Sequence, residues 1–524
     1  MSQETERRIT ILLALLSVGF TVELVWPALR LPLAPDEAYY AYWARYPAPG
    51  YFDHPPLVAW AIALTTAIGG ATTFWVRAAA LAFFAGTQVL LFATLRRLFP
   101  ELPRVAAWLV VVLLNTSLLF PGIGLVMTID SPLVFFWALA LYAGARVVGG
   151  DDGRFWWLFG AALGAAMLSK YTAALLVPCL LGFVLLVPGQ RRWLVRRDPW
   201  AGALIALIVF SPVLYWNWRN DWISFKFQLA HGFREETAPA LSRLLEYLAL
   251  QLGVVSPALW LWLAVYGCAG LWLALRRRDA RLGYLFALSW PVVAFFGWST
   301  VVGERAEGNW PAPGYLGAVP LAVAAWYLGG FARSRAHRYV ASAVIALTLL
   351  VSLLVRIHML HPLLPIPPQN DPLKEFASWP RIATAVHRAI GRATTAPGPE
   401  QRPRPWFLIS DRGTRLAEAV FYTGIPGVDL TRPERYGFLG DWPRRWSGRD
   451  AVLILNPSTD PAAYACLFER WEPTDLHFVP RYRAWPVEEY RGTLYVGHRF
   501  GGRRTFPCTT DPGARTTRTP LSRH

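Results

Sequence analysis

The sequence predicts a polytopic α-helical membrane protein of about eleven spans, followed by a C-terminal extracytoplasmic α/β domain. Three observations carry this expectation. Of 524 residues, 54% are hydrophobic and only 16% are charged, well below the quarter usual in soluble chains. Apolar runs long enough to cross a bilayer recur from Ile9 to about Leu360. Beyond Pro362 the composition turns polar and Arg-rich. Residues 1–361 are therefore expected to form a membrane domain and 362–524 a soluble one. The formal charge of +17 comes almost wholly from arginine, since lysine occurs only at 170, 226 and 374. Among membrane spans that excess fits basic cytoplasmic loops and contact with anionic membrane lipids rather than nucleic acid.

The N-terminus, MSQETERR followed by an apolar run from Ile9 to Leu29, looks like a signal peptide. The run is too long for a typical apolar core of such a peptide, and no small-x-small cleavage site follows. It reads as an uncleaved first span. The stretch from Leu31 to Leu57 comes next and concentrates chemistry. It holds Asp36, Glu37, Asp53 and His54 among Tyr39, Tyr40, Tyr42, Trp43, Tyr46, Tyr51 and Phe52, bracketed by prolines. Carboxylates at a bilayer edge are costly unless they face water, a partner or a substrate. An aromatic interfacial belt is the plainer reading; the acidic pairs favour a functional loop.

The expected spans are 9–29, 76–97, 104–122, 131–148, 155–169, 171–188, 200–219, 252–275, 283–301, 312–330 and 338–358. Basic connections near Arg96–Arg104, Arg191–Arg197, Arg276–Arg281 and Arg333–Arg338, with Arg7–Arg8, should be cytoplasmic. Residues 30–75, 123–130, 220–251, 302–311 and everything after 358 then lie outside. Pro55–Gly70 is apolar but short, and a crossing there would move every later basic loop outside. It is expected to be an interfacial or re-entrant helix. Glu23 and Gln88, inside spans, should bond to neighbouring helices.

Unusual residues collect in the outer loops: Thr128-Ile129-Asp130-Ser131-Pro132, Ser169-Lys170-Tyr171-Thr172, Trp216-Asn217-Trp218, Phe225-Lys226-Phe227-Gln228, and Arg305 before Asn309-Trp310. Asp36, Asp130, Lys170 and Arg305 come from four loops on one membrane face. Taken singly, each has a plain alternative. Asp36 and Asp130 are good helix N-caps, and Lys170 could snorkel to headgroups. His358 and His361 alone make no metal site. In the tail, Trp406–Ser410 and Ala451–Leu455 read as buried strands, with a helix over 416–422 between them. Cys466 and Cys508 are candidates for a disulfide in an oxidising compartment, Cys179 and Cys268 are packing residues, and the last dozen residues should be disordered.

Five motifs in order resemble the bacterial branch of the protein O-mannosyltransferase and lipid A aminoarabinose transferase superfamily. They are Asp36-Glu37-Ala38-Tyr39-Tyr40, Gly50-Tyr51-Phe52-Asp53-His54-Pro55-Pro56, Thr128–Pro132, Ser169–Thr172 and Asn309-Trp310-Pro311-Ala312-Pro313. The resemblance runs from about residue 9 to 330 and implies the GT-C fold. It also implies a sugar donor linked to polyprenyl phosphate, used at the outer face of a bacterial cytoplasmic (inner) membrane, with the tail domain in the periplasm. The acceptor would be lipid A, a protein or a cell-envelope glycan. On this resemblance the catalytic candidates are Asp36, Glu37 and Asp130, with His54, Lys170 and Arg305 facing the donor phosphate. Tyr39, Tyr40, Asp53, Tyr171, Asn309 and Trp310 would contact substrate. Where aminoarabinose transferases have Glu-Lys-Pro, this chain has Asp53-His54-Pro55, and histidine is only partly charged near neutral pH. That departure argues against an aminoarabinose transferase. No cofactor is implied with certainty; Asp36 with Asp130 is the one pair to consider for a divalent metal. The rival readings are a polytopic transporter and a non-catalytic polyprenyl-lipid-binding assembly protein of the envelope.

Overall fold

In the computed structural model all residues are described except 1–2, 151, 233–237, 304–305, 396–404 and 503–524. Arg305, Cys508 and the expected disordered end lie outside the described residues. The chain divides into two compact units, Met1–Leu31 with Trp43–Pro365, and Pro32–Tyr42 with Ile366–His524.

The first unit is a multi-pass helical bundle. Among the described residues seven helices are long and apolar enough to cross a membrane: Gln3–Arg30, Thr73–Leu98, Asp130–Val148, Arg197–Arg219, Pro257–Arg277, Ala280–Val302 and Arg335–Leu360. Arg104–Thr116 and Leu119–Leu125 form an eighth, bent by 73°. The shorter apolar helices Phe155–Ser169, Tyr171–Leu186 and Ala312–Leu328 occupy the three remaining expected intervals.

Hydrogen bonds tie the connections into two ends. At one end Arg97 donates to the Gly149 carbonyl at 2.7 Å. Arg281 donates there to the Leu98 carbonyl and to Glu101, at 3.0 and 2.7 Å, and Arg277 to the Leu328 carbonyl at 3.1 Å. This is the arginine-rich end expected in the cytoplasm. At the other end Arg77 donates to the Leu31 carbonyl at 2.8 Å, and Gln228 to the Asp53 carbonyl at 2.5 Å. The helix Leu57–Gly69 runs between these last two contacts, so it leaves from and returns to the same end. Its 13 residues span only about 20 Å, short of a hydrocarbon core of about 30 Å.

Small residues set one close helix contact. Gly160 and Gly164, four apart on Phe155–Ser169, face Gly202 and Ala206, four apart on Arg197–Arg219. A Cβ on Gly160 would sit 1.9 Å from the Gly202 carbonyl oxygen, and one on Gly164 would sit 2.7 Å from that of Ala206. Such spacing lets two backbones approach where the surroundings supply no hydrophobic drive. Near the end expected to face outward, Arg356 donates to Glu23, to the Phe20 carbonyl at 3.1 Å and to the Asn115 carbonyl at 3.2 Å. Asn115 in turn donates to Gln88 at 2.7 Å, and Gln88 to Thr21 at 3.0 Å. Glu23 and Gln88 thus bond across helices as expected.

The second unit carries a five-stranded sheet in the order β2-β1-β3-β7-β4. Its strands are β1 (Trp406–Ser410), β2 (Gly427–Asp429), β3 (Asp450–Leu455), β4 (Phe468–Phe478) and β7 (Gly492–Phe500). Arg481–Tyr482 and Trp485–Pro486, β5 and β6, pair separately. β1 is parallel to β2 and β3, while β7 is antiparallel to β3 and β4. β1 and β3 are continuous apolar runs because both faces are covered, as parallel strands require. The helix Gly413–Thr423 connects β1 to β2 and ends at Gly424, whose φ of +75° suits glycine.

Candidate functional site

Asp130 begins the helix Asp130–Val148, yet its side chain does not cap it: the N-cap is Ile129, with no side-chain bond. Both carboxylate oxygens are used elsewhere. Lys170 Nζ donates to Oδ1 at 2.8 Å and Asn309 Nδ2 to Oδ2 at 2.7 Å. Asp130 is 2% exposed and Lys170 8%. A buried ion pair repays desolvation only when its remaining valences are satisfied, and Asn309 satisfies the second oxygen. Lys170 therefore does not snorkel. It follows the last residue of Phe155–Ser169, the helix seated by the glycine contacts. Serine fixes the other partner: Ser131 Oγ donates to the Ile123 carbonyl at 2.8 Å, closing the turn that carries Asp130. Asn309 rests on a third support. Gln251 donates to the Gly308 carbonyl at 3.3 Å and accepts from the Tyr315 hydroxyl at 3.0 Å. That hydroxyl accepts from Trp260 Nε1 at 3.0 Å. Trp310, half-buried, lies with its ring 5.9 Å from Phe296.

The helix Ile223–Gly232 joins two further candidates. The Tyr171 hydroxyl lies 2.8 Å from Ser224 Oγ and 3.5 Å from Asn217 Nδ2. One turn on, Gln228 Nε2 donates to the Asp53 carbonyl and lies 3.3 Å from His54 Nδ1. Asp53 is buried. The preceding Gly50 is required by packing, since a Cβ there would meet Trp216 at 2.8 Å.

Asp36, Glu37, Tyr39 and Tyr40 belong to the second unit. They ride on the helix Pro35–Ala44. Proline at its first position is preorganised for a helix start. Asp36 therefore sits inside the first turn and is not the N-cap that its sequence position suggests. Glu37, fully buried, supplies the closing bond: its Oε2 accepts from the Ala34 N–H at 2.9 Å, the back-reaching half of a capping box. Asp36 is exposed. Tyr40 is buried at 5% exposure, and Tyr39 has its ring 6.3 Å from that of Tyr436.

The structure thus joins Asp130, Lys170 and Asn309 directly, bonds Asp53, His54 and Tyr171 to side chains of one short helix, and gives Glu37 a helix-closing bond. Arg305 lies outside the described residues. Gln228, Ser224 and Gln251 carry contacts that sequence reasoning did not assign. Gln228 stood out only as a polar residue in an aromatic segment, and Gln251 gave no signal. Lys170 beside Asp130 leaves a divalent cation poorly accommodated there, because it would face an ammonium group. Among the described residues no three His, Cys, Asp or Glu side chains converge as a metal site.

Residues 53–216 match the family described as dolichyl-phosphate-mannose-protein mannosyltransferase. The lipid A galacturonosyltransferase RgtD of Rhizobium johnstonii is 29% identical over 301 residues, 56% of this chain; the match spans 60% of the length of that relative. ArnT of Cupriavidus metallidurans, solved bound to undecaprenyl phosphate, shares the fold with a TM-score of 0.62 at 16% identity, over 92% of this chain and 97% of that one. The apo oligosaccharyltransferase of Archaeoglobus fulgidus superposes with a TM-score of 0.50 at 11% identity, over 81% of this chain and 64% of that one. Residues 53–216 thus resemble that family, and the chain has the GT-C fold of the ArnT structures.

Proposed function

We propose that the chain is an inverting glycosyltransferase that moves a sugar from a polyprenyl-phosphate donor to an acceptor hydroxyl at the outer face of the cytoplasmic membrane, with the second unit in the periplasm. The observation that carries this reading is the buried Asp130–Lys170–Asn309 constellation, built from three separate motifs. A phosphate leaving group is already stable as an anion, so it calls for cations rather than a general acid. Lys170 has three N–H donors, and the described contact with Asp130 uses one. In this reading Lys170, His54 and Arg305 meet the donor phosphate, and Asp130 with Asn309 orients the lysine. Asp36, an exposed carboxylate at the start of a rigid helix, takes the acceptor proton. One base and one displacement invert the anomeric centre. Among acceptors, lipid A is favoured by the name of the 29%-identical relative.

Asp36→Asn keeps the shape of the side chain but cannot take a proton. Purified, folded Asp36→Asn protein is expected to transfer sugar from a polyprenyl-phosphate donor more slowly by roughly a hundredfold or more. Turnover close to that of the native chain removes Asp36 from the chemistry. Running the assay with lipid A, a peptide and a glycan as alternative acceptors tests the acceptor assignment.

A further inference from the structure

We propose that a groove between the helices Tyr171–Leu186, Pro257–Arg277 and Ala280–Val302 holds an acyl chain of one anionic phospholipid, with Arg278 on the lipid phosphate. The three helices leave a cavity of about 630 Å³ between them, within the roughly 300–1,000 Å³ of ordinary ligand sites. Its floor is apolar and buried, at Cys179, Phe183, Ala274 and Val292. Its rim is open: Leu186 is 81% exposed and Leu275 72%. Gly182 keeps one wall low, since a Cβ there would meet nothing within 4 Å. On Ala280–Val302 the lining runs from Gly283 to Phe295, about 18 Å at the rise of an α-helix. One leaflet contributes about 15 Å of hydrocarbon. The groove therefore matches the depth of a single leaflet. Arg278 lies at its arginine-rich end, the one expected in the cytoplasm.

Charge at the mouth selects the headgroup. Arg276, Arg277, Arg278 and Arg281 follow one another there, and three of the four have partners. Arg276 covers the Trp272 ring at 4.9 Å. Arg277 donates to the Leu328 carbonyl, and Arg281 pairs with Asp279 and Glu101 at 2.9 and 2.7 Å. Arg278 is the arginine that lines the groove. Its exposed guanidinium makes no hydrogen bond or ion pair among the described residues. Asp279 also lines the groove, but Arg281 donates to both of its carboxylate oxygens, at 3.1 and 2.9 Å, which offsets its repulsion of a phosphate. The backbone adds a second sign. Arg278 closes the helix Pro257–Arg277 in the left-handed region, at φ +51° and ψ +37°. Glycine or asparagine ordinarily takes such a position, and strained conformations of other residues concentrate at ligand sites. Guanidinium binds phosphate through charge-assisted hydrogen bonds, and basic residues beside a span attract anionic lipid. The chain in the groove adds apolar burial that a headgroup contact lacks. The helix Tyr171–Leu186 separates this mouth from Lys170, so the two sites can be tested independently.

The test titrates the purified, delipidated full-length protein in detergent with palmitoyl-oleoyl phosphatidylglycerol and, separately, with phosphatidylcholine of the same chains. Native mass spectrometry counts the lipid retained. The native chain should keep one phosphatidylglycerol at concentrations where phosphatidylcholine is lost. Arg278→Gly suits the left-handed backbone and removes the cation. It should bind phosphatidylglycerol about fivefold more weakly, with the lipid-free unfolding midpoint kept. Gly182→Leu puts a side chain into the groove and should weaken both lipids. Arg276→Ala is the control: its guanidinium lies over Trp272, and its retention of phosphatidylglycerol should match the native chain. Native retention by Arg278→Gly overturns the proposal, and so does native retention by folded Gly182→Leu. The Arg278→Gly arm decides whether or not Gly182→Leu folds. An equal loss in Arg276→Ala means diffuse attraction to the arginine-rich end and overturns the site. Equal retention of the two lipids by the native chain means exchangeable surface lipid and overturns it too. Displacement of phosphatidylglycerol by equimolar polyprenyl phosphate assigns the groove to that lipid and overturns the occupant proposed.

Discussion

Asp130, Lys170 and Asn309 each have an unremarkable explanation when taken one at a time: a helix cap, a snorkelling lysine, a loop amide. None of those explanations describes what the side chains do. Asp130 and Lys170 are separated by 40 positions, and Asn309 by another long interval, 179 from Asp130. No local pattern encodes such a pairing. What the sequence did display was the presence of three polar motifs at one expected membrane face, and their order. The buried pair makes a definite prediction. Lys170→Met should strip Asp130 of its cation and destabilise the bundle by about 3–5 kcal/mol, the usual cost of an orphaned buried charge. Adding Asp130→Asn should recover much of that loss, since the amide needs no counter-ion. Unfolding of both variants in detergent, followed by helicity, measures the two steps. Equal destabilisation by the single and double variants would mean that the pair is not energetically coupled. Sugar transfer should be lost in both, because the double variant restores the fold and not the cation.

Helices were legible as apolar runs, and each of the eleven expected intervals is mostly helical, although 104–122, 252–275 and 283–301 each contain a break; the contact that seats Lys170 was hidden inside one of them. Gly160, Gly164, Gly202 and Ala206 read as ordinary members of apolar stretches until the partner helix is known. Their packing yields a second prediction. Gly160→Leu forces side-chain carbons into the Gly202 carbonyl, and backbone cannot move aside as a flexible side chain does. A cost of about 1–3 kcal/mol or more is expected, together with lower sugar transfer, because Lys170 follows the last residue of the same helix. Gly182→Ala is the control. It lies in the helix Leu176–Leu186, where a Cβ meets nothing within 4 Å, and its unfolding midpoint should match the native one or exceed it. A native midpoint for Gly160→Leu would contradict the close contact. In the sheet domain, β1 and β3 were visible as short uninterrupted apolar runs. β4 was not: its exposed charged positions dilute the signal, and its ladder shifts register between Pro473 and His477. β2, three residues long, is too short to signal at all.

At the scale of the molecule, two features differ in how far local sequence could reveal them. The membership of Pro32–Tyr42 in the sheet domain depends on partners such as Tyr422, 389 residues from Leu33, and no composition or period marks it. The topology of the bundle, by contrast, follows from where the arginines are. The arginine-rich connections expected on one face are bonded to one another at one end of the bundle, Arg281 to Glu101 and Arg97 to Gly149. The helix Leu57–Gly69 is the point at which this scheme could fail. A crossing there would place residues 70–72 in the cytoplasm and the loop after Leu98 outside. A return to the same face leaves residues 70–72 outside and the loop after Leu98 in the cytoplasm. Ala71 and Pro100 are both exposed and flank the long helix Thr73–Leu98, so they report opposite faces under either scheme. With the exposed free thiol of Cys268 replaced by alanine, Ala71→Cys should react with an impermeant maleimide added to intact spheroplasts, and Pro100→Cys only after permeabilisation. The length of Leu57–Gly69 and the positive-inside bias both favour that order. The reverse order would make Leu57–Gly69 a true span and would put every later basic loop, and the sheet domain, on the opposite side from the one the proposed chemistry needs.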